Sequence, residues 1–411
     1  MRKGQLESHL LVLVTLALVA FGLVMVYSAT SAPAALARTD PMSYLKKQGI
    51  YALIGVALMI AVSRFDYRRL RLLAPALVLI ALAGCLSVLV LGSRINGARR
   101  WIEVGPATFQ PSELAKLAVA VWAAAYLCRR PAPRTLRDLW RPIGILLGVF
   151  CLLILAEPDL GTAISLVLVL LVVLLISGTP MPTLAAGSGI LAALGLIAIW
   201  FEPYRRARIF SFLDPWRDPQ GAGFQTVQAM IGLGSGGLLG VGLGNGVQKI
   251  NYLPEAHTDM IMAVIGEELG LLGVTAVISA YAVFAYAGLR VALTCTDPFG
   301  KRLAAGLVGL VCGQAVINLA AVLGLAPLTG IPLPFISYGG SSLVIALLSV
   351  GILLNIAGRH GAQAKAALPD RGRRDGRTRG AVARGRGGAR AVRRASDVRR
   401  VARSRRGAAR P

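Results

Sequence analysis

The chain has 411 residues, of which 55% are hydrophobic and only 15% are charged, whereas roughly 25% of the residues in a soluble domain are charged. Together with a mean hydropathy of +0.66, this composition excludes a simple soluble globular domain and disorder along most of the length. The net charge is +25, but residues 359–411 hold 18 basic and 3 acidic side chains, so a strongly basic tail follows an apolar body.

Uncharged stretches along the body, and a further span that contains Glu113 and Lys116, predict ten membrane-spanning helices, once the two longest stretches, 160–201 and 303–358, are divided at their Pro/Gly clusters. The ten lie at about 9–29, 48–63, 72–92, 112–128, 142–157, 161–177, 182–200, 259–288, 303–325 and 335–357. Arg2 and Lys3 precede the first stretch as in a signal peptide. Its apolar run exceeds the roughly 7–15 residues of an h-region, so it is predicted to be a retained anchor. The predicted fold is an all-α polytopic membrane protein.

The distribution of basic residues predicts the orientation in the membrane. With the N-terminus inside, the inner loops and the tail hold 32 of the 44 Lys and Arg residues, and the outer loops hold 11. Both termini are therefore expected in the cytoplasm. Residues 219–248 are also uncharged, but ten of them are Gly, and a further span would place the basic tail outside. They are assigned to one large external loop, about 201–258, as a re-entrant or interfacial segment packed against protein.

Glu113 and Lys116 are the clearest ionisable groups inside a predicted span. They are three residues apart on one helix face and can neutralise each other, so a structural ion pair explains them. Because charges are costly within a membrane, a polar patch that faces a substrate cavity is the alternative explanation.

A second polar group, Glu255, His257 and Asp259, lies between the external loop and the span that follows it. A helix cap formed by Thr258 or Asp259 accounts for one polar residue, but not for the density of the three. This density favours a functional site at the membrane surface.

Two small-residue segments are further candidates. Residues 232–237 partly resemble a dinucleotide loop, but no strand precedes them, so close backbone packing or a flexible surface for a diphosphate is favoured. Residues 332–342 open the last span, where close helix contact or anion binding by N–H groups and hydroxyls explains them.

Glu267 and Glu268 lie within a span, where helix packing and function are both open. Eight basic residues of the outer loops are available for lipid headgroups or a phosphate: Arg94, Arg99, Arg100, Arg205, Arg206, Arg208, Arg217 and Lys249.

Six sequence motifs stand in order along the body. They are Gly97-Ala98-Arg99-Arg100-Trp101-Ile102, Gln110-Pro111-Ser112-Glu113-Leu114-Ala115-Lys116, Glu157-Pro158-Asp159-Leu160-Gly161-Thr162, Leu253 through Asp259, Ile265-Gly266-Glu267-Glu268-Leu269-Gly270, and Ile336 through Ser342. Together they closely resemble the SEDS family (shape, elongation, division and sporulation) over about residues 1–358. Residues 254–257 and Ser341-Ser342 favour its division branch over its elongation branch. Met260 and Met262 depart from a frequent Phe of the family, and Met is adaptable in packing.

The resemblance implies a ten-helix peptidoglycan glycosyltransferase that polymerises lipid II at the outer face of the bacterial cytoplasmic membrane, at the division septum. It also implies a partner, a class B penicillin-binding protein that crosslinks the glycan. Asp259 would be the essential acidic residue, as general base or alternatively as a metal ligand, and Mg²⁺ or Mn²⁺ would stabilise the diphosphate. No organic cofactor is expected. The substrate-binding candidates are Glu113, Lys116, Arg99, Arg100, Trp101, Lys249, Glu255, His257, Ser337, Gly339, Gly340 and Ser341.

Two other classes of function stay open. A flippase for the same lipid would also place polar groups within a ten-helix bundle, although the charged motifs crowd toward the outer side and favour an extracellular reaction. A division scaffold would need no chemistry of its own, and a dispensable Asp259 would favour it.

The Arg/Gly/Ala-rich tail, residues 359–411, has few apolar side chains with which to form a core and is predicted to be disordered in the cytoplasm. Anionic lipids of the inner leaflet are its expected partner, and an acidic division protein is the alternative. The tail has no aromatic residue to stack on bases, which argues against nucleic acid.

Overall fold

The computed structural model describes residues 5–36, 40–95, 98–105, 107–250 and 253–366. These residues are mostly helical, as the apolar composition predicts. The α-helices within them are α1 (Gln5–Leu36), α2 (Ser43–Arg64), α3 (Leu70–Leu91), α4 (Pro111–Arg129), α5 (Leu136–Leu139), α6 (Ile145–Ala156), α7 (Leu160–Ile176), α8 (Met181–Trp200), α9 (Pro203–Leu213), α10 (Phe224–Ser235), α11 (Ile261–Thr294), α12 (Pro298–Val322) and α13 (Gly340–Ala366).

In the described part of the chain, eight helical segments are long and apolar enough to cross a membrane. They are Gln5–Ser31, Ser43–Arg64, Tyr67–Leu91, Leu136–Ala156, Met181–Trp200, Ile261–Thr294, Pro298–Val322 and Gly340–Arg359. The polytopic membrane fold is therefore confirmed. The two remaining predicted spans correspond to α7, which is apolar but has 17 residues, and to α4, which carries Glu113 and Lys116. The total of ten stays a prediction.

Helices α4, α7, α11 and α12 form the centre of the bundle, where α12 packs against the other three. Two glycines of α12 allow this close approach, because a Cβ on Gly306 would lie 2.7 Å from a methyl of Val173, and one on Gly309 would lie 3.0 Å from Val172. Helix packing in membranes depends on such small residues, since lipid provides little hydrophobic driving force between helices. By contrast, α8 is mostly exposed, with 11% of its most apolar window buried, against 67% for α12.

A small antiparallel sheet between α3 and α4 was not predicted, so the all-α expectation is incomplete. Its strands, in the order β1–β2–β3, are β1 (Ser93–Ile95), β2 (Ala98–Val104) and β3 (Ala107–Phe109). Arg94 pairs with Arg99, and Glu103 pairs with Thr108. The strands are too short and too polar to interrupt the helical pattern of the sequence, and β2 contains residues 98–102 of the first of the six motifs.

The element boundaries also differ at the last span. Helix α13 begins at Gly340 rather than near 335, because residues 335–339 are non-helical, and it ends at Ala366, beyond the predicted end at 357. The rest of the predicted disordered tail, 367–411, lies outside the described residues. The predicted external loop, 201–258, contains the helices α9 and α10.

The segment after α10, residues 236–250, is called here the glycine loop, and it packs its backbone against an interruption of α11. The interruption is at Gly270, where φ is +62° and a Cβ would lie 2.4 Å from the nitrogen of Gly240. Only glycine therefore permits this approach. Four backbone hydrogen bonds of 2.9–3.2 Å join the two segments: Val241 to Glu267, Gly242 to Glu268, Leu271 to Gly237 and Leu272 to Leu238. Within the run 232–237, Gly236 lies so close to the carbonyl of Gly266 that it leaves no room for a Cβ, as close backbone packing predicts. The alternative, a surface for a diphosphate, stays a prediction.

Candidate active site

Asp259 lies just before α11, at the end of the motif 253–259, and its side chain is 9% exposed. The helix N-cap is Met260, without a side-chain hydrogen bond, so the expectation that Thr258 or Asp259 caps the helix is wrong. Burial raises the pKa of the Asp259 carboxyl to about 6, while the charge of Arg208 lowers it and that of Glu255 raises it. The hydroxyl of Thr258 donates to Asp259 Oδ1 at 3.2 Å. Asp259 is therefore free for chemistry rather than used as a cap.

The backbone of Asp259 is anchored to the loop before α13 by Asn318 of α12. The amide nitrogen of Asn318 donates to the carbonyl oxygens of Asp259 and Ile331, both at 2.8 Å. The same loop holds Arg208, whose guanidinium donates to the carbonyl of Leu328 at 3.0 Å. The segment 328–331 thus binds Arg208 at one end and, at the other end, the same Asn318 that holds the backbone of Asp259.

Neither Arg208 nor Asn318 was selected from the sequence. Arg208 was grouped with the other outer basic residues, and Asn318 was not considered. The available signal for Asn318 was an amide side chain within the uncharged run 303–358, since polar groups inside a span require partners.

His257 is placed in an aromatic cluster beside Asp259. Its ring lies 4.8 Å from that of Tyr44 and 5.5 Å from that of Tyr338, centroid to centroid. The backbone N–H of Tyr338 donates to the carbonyl of His257 at 2.9 Å. Burial lowers the pKa of His257, against an opposing effect of the Glu255 charge. The structure therefore brings together the motifs at 253–259 and 336–342, as their common assignment to a site predicts.

Several polar groups around the start of α13 are bonded within the protein. Ser337 accepts from the N–H of Leu333 at 2.7 Å, and its own carbonyl accepts from Gln48 of α2 at 3.0 Å. The N–H of Gly339 donates to Gln48 at 3.4 Å. Ser341 donates to the carbonyl of Thr108 at 3.1 Å. These bonds join α2, the sheet and α13.

Gly340 is needed for the same junction, because a Cβ there would lie 2.5 Å from the ring of Tyr51. Close contact thus explains Gly340, and the role of this segment in anion binding stays a prediction.

Glu113 and Lys116 form the predicted ion pair on α4, with 2.6 Å between Lys116 Nζ and Glu113 Oε1. Their side chains are 3% and 1% exposed, respectively. Among the described residues, Glu113 Oε2 and the hydroxyl of Ser112 lack a hydrogen-bond partner. Buried polar atoms without partners carry a free-energy cost, so they are available to a bound molecule. The assignment of this pair to a substrate cavity stays a prediction.

The residues Arg99, Arg100 and Trp101 lie on β2, and both arginines hold backbone carbonyls. Arg99 donates to Leu89 at the end of α3 at 3.0 Å. Arg100 donates to the carbonyl of Glu157 at 3.2 Å and also to that of Pro158. Trp101 accepts from a serine hydroxyl of β1 through its carbonyl, at 3.3 Å. These contacts fasten the sheet to the helix ends, and phosphate binding by these side chains stays a prediction.

Glu157, between α6 and α7, is a buried acid that sequence analysis quoted within a motif but did not assign. It is 0% exposed, and neither carboxyl oxygen has a hydrogen-bond partner among the described nitrogen and oxygen atoms. Burial, and then the charge of Asp159, raise the pKa of Glu157 to about 8, while Cys85 and Arg100 act in the opposite direction. Glu157 is therefore mostly protonated at neutral pH.

Lys249 is committed to a buried cluster at the end of the glycine loop. Its ammonium donates to Glu268 at 2.6 Å, to the carbonyl of Gly244 at 2.8 Å and to the hydroxyl of Ser28 at 3.0 Å. An ammonium has three N–H donors, and all three are used. Lys249 is also 2% exposed, so this geometry favours a structural role over the predicted phosphate contact.

Asp259 and Glu255 fit a divalent cation that is shared with a substrate. The hydroxyl of Thr258 lies within hydrogen-bond distance of both carboxylates, 3.2 Å from Asp259 and 3.1 Å from Glu255, which places them side by side. The described residues contain no cluster of three metal-binding side chains. Mg²⁺ usually takes one or two carboxylates plus substrate phosphates, so these two donors fit such a site.

Residues 8–361 match a family model, FtsW/RodA/SpoVE, described as cell cycle protein. A relative from Geobacter sulfurreducens named probable peptidoglycan glycosyltransferase FtsW is 44% identical over 85% of this chain and 94% of its own length. Stage V sporulation protein E of Bacillus subtilis is 39% identical over 85% of this chain and 96% of its own.

Solved structures show the same likeness. A chain from a peptidoglycan synthase complex that coordinates polymerization and crosslinking matches with a TM-score of 0.71 and 32% identity, over 85% of this chain and 97% of that one. The rod shape determining protein RodA of Thermus thermophilus matches with a TM-score of 0.63 and 30% identity, over 85% and 96%.

Proposed function

We propose that this chain, which belongs to the FtsW/RodA/SpoVE family of cell cycle proteins, is a peptidoglycan glycosyltransferase that polymerises lipid II into glycan strands. The names of its relatives support the activity, and the naming of most of them as FtsW supports a role in septal synthesis during cell division. The protein is a multi-pass membrane protein. We assign it to the bacterial cytoplasmic membrane with both termini inside.

The observation that carries the mechanism is the buried Asp259 near Arg208. In the reaction, the 4-hydroxyl of the acceptor sugar forms a bond to the anomeric carbon of the donor, and the bond from that carbon to undecaprenyl diphosphate breaks. The carboxylate of Asp259 accepts the hydroxyl proton as general base. A pKa of about 6 leaves this carboxylate ionised at neutral pH and makes it a stronger base than an ordinary Asp.

Arg208 is assigned to the leaving group. Its guanidinium lies near Asp259, as its effect on that pKa requires, and is held by the carbonyl of Leu328. Positive charge placed where the diphosphate leaves stabilises the transition state. Metal binding is the alternative role of Asp259: a divalent cation held by Asp259 and Glu255 would supply positive charge to the diphosphate.

A class B penicillin-binding protein is proposed as the partner. The similar chain of known structure belongs to a complex that coordinates polymerization with crosslinking. A polymerase of this kind needs a crosslinking enzyme to turn glycan strands into a wall, and the class B enzymes carry out crosslinking. The basic tail is proposed to bind anionic lipids or an acidic division protein.

The test uses the full-length chain in liposomes with labelled lipid II and Mg²⁺ or Mn²⁺, with and without the penicillin-binding partner. Products are separated on a gel. The variant is Asp259→Asn, which keeps the shape of the side chain. The matched control is Asp297→Asn, which removes a carboxylate that caps α12 instead.

Polymer from the wild type and the control, and none from folded Asp259→Asn, would support the proposal. Polymer from all three proteins would retain the enzyme but remove Asp259 as its base. Absence of polymer, together with movement of lipid II across the bilayer, would replace the proposal with a flippase. Absence of both activities would favour a scaffold.

A further inference from the structure

The glycine loop exposes a group of large apolar side chains that no helix accounts for. This apolar tip consists of Leu238 (73% exposed), Leu239 (77%), Val241 (44%), Leu243 (52%) and Val247 (56%). Scattered exposed apolar residues are ordinary on a protein surface, but a contiguous group marks contact with a partner or a membrane.

Much of the loop backbone is hydrogen-bonded within the protein. A non-helical segment can lie at membrane depth only if its polar groups are satisfied by protein. Part of the loop pairs with the α11 interruption through the four backbone bonds described above. The side chains of Glu267 and Glu268 accept from three further N–H groups: Val247 at 2.8 Å, Gln248 at 3.2 Å and Gly244 at 3.1 Å.

The two carboxylates that accept hydrogen bonds from the loop, those of Glu267 and Glu268, are themselves buried. Glu267 and Glu268 are 3% and 0% exposed, and Lys249 neutralises Glu268. Ser28 of α1 donates to both oxygens of Glu268, at 2.8 and 2.7 Å. The charged groups thus face inward and the apolar tip faces outward, with the exposed amide of Asn245 donating to the carbonyl of Val241 at 3.4 Å. This is the polarity of a segment in contact with lipid.

The position of the loop along α11 agrees with this polarity. The helix rises about 1.5 Å per residue, so Gly270 lies about 30 Å from Arg290, and about 30 Å is the thickness of the hydrocarbon core. If Arg290 marks one boundary, the interruption and the loop lie at the other. Leu271 and Leu272, next to the interruption, are 52% and 63% exposed and continue the apolar tip onto the surface of the span.

We propose that the glycine loop is a membrane-inserted element, whose apolar tip lies among the acyl chains of the leaflet that covers this end of α11. Lipid is favoured over a protein partner for two reasons. The tip is continuous with the exposed face of an apolar span, and residues 219–248 contain no charged side chain to supply the polar rim of a protein interface. The proposal does not depend on the enzymatic activity.

The test measures where residue 239 lies. The five native cysteines are replaced in the full-length chain, single cysteines are introduced, and each is labelled with an environment-sensitive fluorophore. The labelled sites are Leu239→Cys, the membrane control Leu79→Cys on α3 and the water control Gln220→Cys before α10. Leu79 is 66% exposed on an apolar span. In liposomes, quenching by doxyl-labelled lipids is compared with quenching by aqueous iodide.

We expect residue 239 to behave as residue 79 does, with strong quenching by the lipid probe and little by iodide, while residue 220 shows the opposite. Quenching of residue 239 by iodide would overturn the proposal. Protection from both quenchers would also overturn it, because it would place a second protein chain on the tip.

A second measurement avoids the cysteine replacements. Leu239→Asp and Gln220→Asp are each made in the wild-type chain and reconstituted in liposomes. Insertion predicts that Leu239→Asp lowers the midpoint of thermal unfolding by several degrees, while Gln220→Asp does not change it. Equal midpoints for the two variants would contradict insertion.

Discussion

Asn318→Leu tests whether the anchoring of Asp259 controls its chemistry. The substitution keeps the approximate volume of the side chain but removes the donor to two buried carbonyls, those of Asp259 and Ile331. Each lost hydrogen bond costs ~1 kcal/mol net, and more if the carbonyl stays buried and unpaired. The expected loss of stability is therefore about 2–4 kcal/mol.

Asn355→Leu is the matched control. Asn355 on α13 also makes two hydrogen bonds, accepting from the N–H of Tyr67 at 3.1 Å and donating to the carbonyl of Ser63 at 2.7 Å. Its bonds join helix ends away from Asp259. The same ~1 kcal/mol per bond applies, so the two variants should lose similar stability, measured as denaturant or thermal unfolding in detergent.

Only Asn318→Leu should change catalysis. Without its anchor, Asp259 moves relative to the loop that holds Arg208, and a displacement of this kind costs roughly 10²-fold in rate. The pH dependence should change as well. A general base must be ionised, so the wild-type rate should rise with pH through about 6, the pKa of Asp259. Burial is the main cause of the raised pKa, so a released, better hydrated carboxylate shifts this rise to lower pH.

The assay is lipid II polymerisation between pH 4.5 and 8, under conditions in which all three proteins are folded. If Asn318→Leu lost stability but kept the rate and the pH profile of Asn355→Leu, Asn318 would be an ordinary structural residue. The link between anchoring and chemistry would then be refuted.

Three further variants test buried groups. Lys249→Met should destabilise the protein by about 3–5 kcal/mol, because Glu268 is left as an unpaired buried charge, and adding Glu268→Gln should recover much of that loss in thermal unfolding. Glu157→Gln should remove a pH dependence of stability: the folded-state pKa of about 8 exceeds that of the unfolded chain, so Glu157 stabilises the wild type fully below the unfolded pKa and loses this contribution as pH rises through 8. Thermal midpoints of wild type and variant should therefore be similar near pH 4.5, and the wild-type midpoint should fall below that of the variant as pH rises to 9, because burial penalises only the ionised carboxylate. Gly270→Ala should cost about 1–3 kcal/mol from its positive φ alone, with a further loss from the clash with Gly240, and an unchanged unfolding midpoint would show that α11 is continuous there.

Local patterns in the sequence were sufficient for the membrane fold. Long uncharged runs predict spans because transfer into hydrocarbon depends on the summed apolarity of about 20 consecutive residues, and such a sum can be read along the chain. The ion pair of Glu113 and Lys116 was also predictable, since residues three apart share a helix face. The six motifs indicated the family and directed attention to Asp259.

Helix boundaries and short elements were harder to predict from the sequence. The sheet between α3 and α4 was missed because its strands have three to seven residues and lie in a polar linker without the alternation that marks a half-buried strand. The interruption of α11 was also missed, since Gly270 stands within an apolar run and a single glycine does not end a helix by itself. Its cause is the approach of the glycine loop, which comes from another part of the chain.

The sequence by itself determined that this protein is a helical membrane protein of a recognisable family, because hydropathy, helix spacing and motif order are properties of consecutive residues. Only the tertiary structure decided the partners of the buried polar groups. Lys249 pairs with Glu268 and with Ser28, which is 221 residues away, and Asn318 holds Asp259 across 59 residues. Buried donors and acceptors must find partners wherever the fold brings them together. Because these partners are far apart in the chain, no pattern of neighbouring residues predicts the pairs.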